Sequence, residues 1–173
     1  MPANGYSLIE LLVVMVIMSV IGIVGYVNYK QFASAQITTN AISQIQSVLR
    51  LAQSNAASST VCLDNINNSP WSVSFKNQTS IGLDCGLSNT EERNYTLENA
   101  RIDSIVGSAD PSSCSAVFPF NISYSNSGSL IFSSTVLSST CLQSSSWTFT
   151  VRNLNDNTFK MFKISKGGAV DVQ

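Results

Sequence analysis

The stretch from Gly5 to Val27 reads GYSLIELLVVMVIMSVIGIVGYV, and from Leu8 onward it is a run of twenty residues with a single charge, Glu10. A helix of that length matches the roughly 30 Å hydrocarbon core of a bilayer, which predicts a transmembrane helix. Glu10 is the anomaly. A carboxylate at membrane depth costs about 2.5–3.5 kcal/mol on insertion scales, so it needs a partner and marks a functional position. Cleavage after Gly5 supplies one, because Tyr6 then carries a free amine about one helical turn from Glu10. The two opposite charges neutralise each other at low dielectric, within one chain or between neighbours. An ordinary secretory signal peptide fits less well: it has a basic start, no carboxylate in its apolar core and a small-residue cleavage site after that core. A plain bitopic anchor on an exported protein leaves Glu10 unexplained.

Beyond Tyr29 the helical spacing continues. Phe32, Ala35, Ala41, Ile42, Ile45, Val48, Leu49, Ala52 and Ala56 recur three and four residues apart with polar residues between them. No Pro or Gly interrupts the chain between Lys30 and Ser58, and the Ser58–Thr60 cluster is a stop signal. One helix from Tyr6 to about Ser58 is therefore expected, roughly 80 Å long. Its second half is amphipathic and must lay its stripe on the domain that follows. That domain reads as antiparallel β. Trp71, Val73 and Phe75 alternate with Ser72, Ser74 and Lys76, as in a strand with one buried face. Further strands are expected at 102–106, 117–124, 129–132, 147–154, 159–165 and 169–172, joined by turns at Asn126-Ser127-Gly128, Asn155-Asp156-Asn157 and Gly167-Gly168. The polar segment Asp84–Asn99 reads as a surface loop. The fold class is thus α+β, with residues 1–5 as leader, 6–29 as the membrane half of the helix, 30–58 as its amphipathic half and 59–173 as the β domain.

Composition removes most catalytic readings. Among 173 residues there is no His, which takes away the commonest general base and metal ligand and every Ser/His or Cys/His pairing; no enzyme activity, metal or cofactor is expected. A net charge of −1 argues against nucleic-acid binding by bulk positive charge. The last 22 residues are locally basic, with Arg152, Lys160, Lys163 and Lys166 against Asp156 and Asp171. Lys160 and Lys163 differ in strand parity and face opposite sides, so a solvated surface explains them better than a nucleic-acid site. Trp71 and Trp147 read as core anchors. Cys62, Cys85, Cys114 and Cys141 form no CxxC pair and lie in a Ser/Thr/Asn-rich domain, which points to two disulfides in an oxidising compartment. Three connectivities are possible; local loop closure favours Cys62 with Cys85 and Cys114 with Cys141, each bridge stabilising by about 2–4 kcal/mol.

The run GYSLIELLVV, Gly5 to Val14, resembles the signal of type IV prepilins and type II secretion pseudopilins, normally written GFTLIELLVV. The resemblance spans about the first thirty residues. It implies that Gly5 is the last leader residue, cut on the cytoplasmic side by a prepilin peptidase, and that Tyr6 is the mature, N-methylated terminus. It further implies that Glu10 registers one subunit against the next, and that Leu8–Val27 anchors the chain in the inner membrane before entering a filament core. The implied fold is the pilin fold, and the implied partners are other pilin or pseudopilin subunits, the inner-membrane assembly platform and the lipid bilayer. Three features depart from the pattern: MPANG has no Lys or Arg, Val27 stands where Pro is frequent, and Tyr6 replaces Phe. The missing Pro predicts a straighter helix. Farther on, VLRLAQSNAA (Val48 to Ala57), then Val61-Cys62-Leu63, then the Trp71 strand resemble H-type minor pseudopilins and FimT-like minor pilins, with Gln53 where that group often has Arg. Some of those minor pilins bind DNA through a basic C-terminal region, which would make Arg152, Lys160, Lys163 and Lys166 the contacts here.

Overall fold

Ser7 opens the long helix by capping it. Its backbone is extended and its Oγ accepts the Glu10 N–H at 3.3 Å, satisfying one of the donors that a helix start leaves unpaired. The structure, a computed structural model, describes residues 7–62, 70–86, 90–109, 114–125, 130–134 and 139–172, with backbone only at 24, 25, 27, 28, 31, 90–92, 139 and 140. Helix α1 spans Leu8–Ala57 as one element of 50 residues, starting after the Ser7 cap. It runs through position 27 without a break, as expected where no Pro removes a ladder bond. Ser58 closes it, donating its N–H and its Oγ to the Ser54 carbonyl, each at 2.9 Å. Ser59 then turns the chain at φ +51°, and Trp71 Nε1 fixes the exit by donating to the Thr60 carbonyl at 3.1 Å.

Ten strands follow. β1 (Trp71–Phe75), β2 (Ser80–Cys85), β3 (Thr90–Thr96), β6 (Phe120–Tyr124) and β7 (Leu130–Ser134) form one antiparallel sheet in the order β3-β2-β1-β6-β7. β4 (Ala100–Gly107), β5 (Ser115–Ala116), β8 (Ser146–Asn153), β9 (Phe159–Ser165) and β10 (Val170–Val172) form the second, in the order β10-β9-β8-β4-β5. A short helix, α2 (Ser139–Leu142), lies on the connection from β7 to β8. The chain therefore crosses between sheets three times, and neither sheet is complete until both halves of the domain have folded.

The two sheets meet across aromatic rings. Phe149 lies 5.1 Å from Phe75, 5.9 Å from Phe120 and 4.9 Å from Phe162, while Trp147 lies 4.9 Å from Phe120 and 6.1 Å from Phe132. Into the same core α1 directs Thr38, Ala41, Ile42, Ile45, Val48, Leu49, Ala52 and Ala56, all buried. Ala52 and Ala56 let the helix approach the sheets closely. Trp71 and Trp147 are core residues, as expected.

The expected α+β architecture is present, its antiparallel strands divided between two sheets. Three expectations are corrected. The Asp84–Asn99 loop is instead the end of β2 followed by β3, an edge strand rich in polar and charged residues. All five β1 residues are buried, not alternate ones, because β1 is the central strand and its small Ser72 and Ser74 are hidden among longer neighbours. Phe32 and Ala35 are exposed: the apolar stripe on α1 carries on past the point where the domain ends, so the core begins at Ile37 and Thr38. Of the expected turns, Asn126-Ser127-Gly128 lies outside the described residues; Asn157 at φ +60° and Gly168 at φ +83° adopt the left-handed conformation the other two require.

Candidate functional site

The N-terminal third of α1 is an arm of unpartnered apolar side chains. From Leu8 to Ile23 every large hydrophobic is exposed, between 49% at Val13 and 86% at Leu8, and Tyr26, Tyr29 and Phe32 extend the surface toward the domain. Ser19, one of the few hydroxyls in the run, is satisfied internally by the Met15 carbonyl at 2.7 Å. Lys30 lies over the Tyr26 ring at 5.5 Å, marking the polar end of the arm. A helix apolar on all sides requires lipid or other chains around it. Among the described residues no helix is long and apolar enough to cross a membrane: the fully described part of the run stops at Ile23, short of the Leu8–Val27 span read from the sequence.

Glu10 sits exposed in the first turn of α1, where the helix dipole favours a negative charge. Ser7-Leu8-Ile9-Glu10 also has capping-box spacing, a signal present in the sequence and not used there. The cap contact observed is made by the Glu10 backbone N–H, leaving the carboxylate available. Gly5 and Tyr6 lie outside the described residues.

The cysteines and the basic residues belong to the domain. Cys62 is joined to Cys85, with Cα atoms 5.7 Å apart, tying the helix exit to β2. Cys114 is joined to Cys141 at 5.3 Å, tying the start of β5 to α2. All four are buried. The basic residues of the C-terminal segment do not form one surface. Arg152 donates from Nε and Nη2 to Asp103 Oδ2 at 3.0 and 2.8 Å, with the Phe159 ring 5.9 Å away. Lys160 Nζ reaches α1 instead and donates to Thr39 Oγ1 at 2.8 Å. Lys163 stands opposite Asp171 in the β9–β10 register, and Lys166 lies beyond the end of β9 beside Leu142 and Ile131. Among the described residues no group of three His, Cys, Asp or Glu is placed to hold a metal ion. Tyr124, in the core, has its phenol pushed up to about 12 by burial and stays neutral.

The arm joins the domain at a polar contact that sequence reading missed. Ser34 Oγ donates to Asp156 Oδ2, Asn153 Nδ2 donates to Ser34 Oγ at 2.9 Å and to the Ser34 carbonyl at 3.3 Å, and Thr158 Oγ1 lies 3.3 Å from the same hydroxyl. Within the turn, Asp156 Oδ1 accepts from the Thr158 N–H and hydroxyl at 3.1 and 2.8 Å. The hydroxyls of Ser34 and Thr158 hold the Asp156 carboxyl below the usual carboxylate range. Beside this contact Tyr29, Lys30, Ala33, Ile37 and Asn155 line an open groove of about 320 Å³. These partners lie more than a hundred residues apart, and no short motif announces them.

No curated protein and no solved structure matches the chain. Its residues 1–26 do match a family model, the Prokaryotic N-terminal methylation motif, so that the segment leading into the exposed arm is a type IV pilin/pseudopilin signal.

Proposed function

We propose that the chain is a structural subunit, a minor one, of a type IV pilus or a type II secretion pseudopilus, with no catalytic activity of its own. The observation that carries this reading is the arm: a helix sheathed in exposed apolar side chains, headed by the methylation motif and standing on a folded β domain. In this reading prepilin peptidase cuts between Gly5 and Tyr6 and the new Tyr6 amine is methylated. The subunit then waits in the inner membrane with its domain on the outer side, until the assembly platform draws it into the filament. The arm exchanges lipid for the arms of neighbouring subunits, and the Glu10 carboxylate is neutralised by an N-terminal amine as it enters that low-dielectric core. Minor status is supported by the resemblance of the helix end, Cys62 and the Trp71 strand to H-type minor subunits. Nucleic-acid binding gains no support, since Arg152 is held by Asp103 and Lys160 by Thr39.

Intact-mass measurement on the protein from its membrane fraction tests the processing step. The expected product begins at Tyr6, carries one added methyl group and is four hydrogens lighter for its two disulfides. A chain that still begins at Met1, or begins beyond Val27, counts against the reading. A second test isolates the carboxylate, because Glu10→Ala keeps the backbone N–H that Ser7 caps. Membrane insertion should be unchanged, and incorporation into sheared filaments should fall by about tenfold or more, the effect of leaving a buried amine without its counter-charge. Wild-type incorporation would remove the charge-pairing step from the mechanism.

A further inference from the structure

The core contacts of α1 stop at Ile37 and Thr38, yet two polar ties continue beyond or beside that point. Ser34 is gripped from the β8–β9 turn by Asn153, Asp156 and Thr158, and Thr39 by Lys160 from β9. Ser34 and Thr39 are five residues apart, which separates them by about 140° around the helix and about 7.5 Å along it. Ties at two azimuths resist both rolling of the helix and swinging of the arm, which a single contact would not. The side chains involved are short, except for Lys160, so little rotamer freedom is lost in holding the geometry.

We propose that Ser34, Asn153, Asp156, Thr158 and the Lys160–Thr39 pair form a releasable polar latch that sets the direction in which the N-terminal arm leaves the domain. When the latch is closed, arm and domain move as one body from Ser34 onward. When it is open, the last fixed point retreats to Thr38 and the turn of helix between them is free to bend. The latch is made of exposed and half-buried hydrogen bonds, which belong to the low-stability end of a fold and open without unfolding the core. Its charged surroundings are few. Lys30 on α1 lines the same groove, Lys160 on β9 occupies the second tie, and Arg152 on β8 donates to the Asn157 carbonyl at 3.4 Å. The hydroxyl donors from Ser34 and Thr158 favour the ionised form of Asp156. With its folded value depressed, Asp156 favours the closed latch at neutral pH, and that contribution disappears as pH falls through and below the carboxylate range.

The latch belongs to the joint between arm and domain and acts whether or not the arm enters a filament. Amide hydrogen exchange on the full chain in detergent micelles tests it. In Ser34→Ala, exchange at residues 33–37 should quicken roughly tenfold while residues 41–52 keep their wild-type protection. Lys160→Met, which leaves the Ser34 tie in place, should produce a smaller change in the same window. After correction for intrinsic rates, lowering the pH should loosen residues 33–37 in the wild type and have little further effect in Asp156→Asn. Unchanged exchange at 33–37 in Ser34→Ala overturns the latch. So does quickening spread evenly along α1, which would mean general destabilisation. Filament incorporation of the same variants reports separately on the proposed function.

Discussion

Phe149→Ala should lower the unfolding free energy by about 3–5 kcal/mol, the range for deleting a fully buried aromatic side chain. The ring is completely buried at the centre of the inter-sheet contact, touching Phe75 and Phe120 of one sheet and Phe162 of its own. Those neighbours are held by strands on both sides and cannot collapse into the space, which places the cost toward the upper end. Phe159 is the matched control. It lies on β9 in the same sheet, but its register partner is Arg152, on the outer face, and it is 56% exposed. Phe159→Ala removes little buried area and a guanidinium contact at 5.9 Å, so a loss of no more than about 1 kcal/mol is expected. Urea unfolding of each full-length variant in detergent, followed by tryptophan fluorescence, measures both. Equal losses for the two would mean that the inter-sheet aromatic cluster is not the centre of the core.

What the sequence made legible follows from which signals are local. The unbroken α1 was readable because fifty residues lack Pro, and its buried stripe because Ile42, Ile45, Leu49 and Ala52 repeat at helical spacing. The stripe misled at Phe32 and Ala35 because periodicity says which face is apolar and not where the covering domain stops. β2 was overlooked although Ile81, Leu83 and Cys85 alternate, because Gly82 weakens the strand pattern and Asp84 opens the polar segment read as a loop. In the sheet Gly82 has a packing reason: a Cβ there would meet Ser74 Oγ at 2.5 Å and Lys76 Cε at 2.9 Å. β3, with the sequence TEERNYT, is an edge strand whose charges discourage pairing with other chains, and polarity of that kind is indistinguishable from a loop in one sequence. The division into two sheets depends on which strands cross over, a non-local matter. At the site, the N-terminal signal was legible because a motif of consecutive residues carries it, and residues 1–26 match the methylation motif. The Ser34–Asp156 joint was not, because it consists of ordinary polar side chains brought together by the fold.

Replacing all four cysteines by Ala should leave the β domain unable to hold its fold at ambient temperature, whereas removing either pair alone should weaken it without abolishing it. The loops closed by Cys62–Cys85 and Cys114–Cys141 span 23 and 27 residues, so each bridge contributes about 3.5 kcal/mol by the loop-entropy relation. The two share no partner: one ties the end of α1 to β2, the other ties β5 to α2. Their effects should therefore add to about 7 kcal/mol, which is comparable to the whole stability of an ordinary domain. Topology points the same way, since β4 and β5 begin one sheet before β6 and β7 return to the other, and the Cys114–Cys141 bridge spans that excursion. Substitution is the right probe, because all four sulfurs are buried and a reductant reaches them only after unfolding. Far-UV circular dichroism and urea unfolding of the two double variants and the quadruple variant decide the matter. A quadruple variant with a wild-type midpoint would show that the aromatic core alone carries the domain and that the cysteines serve something other than stability.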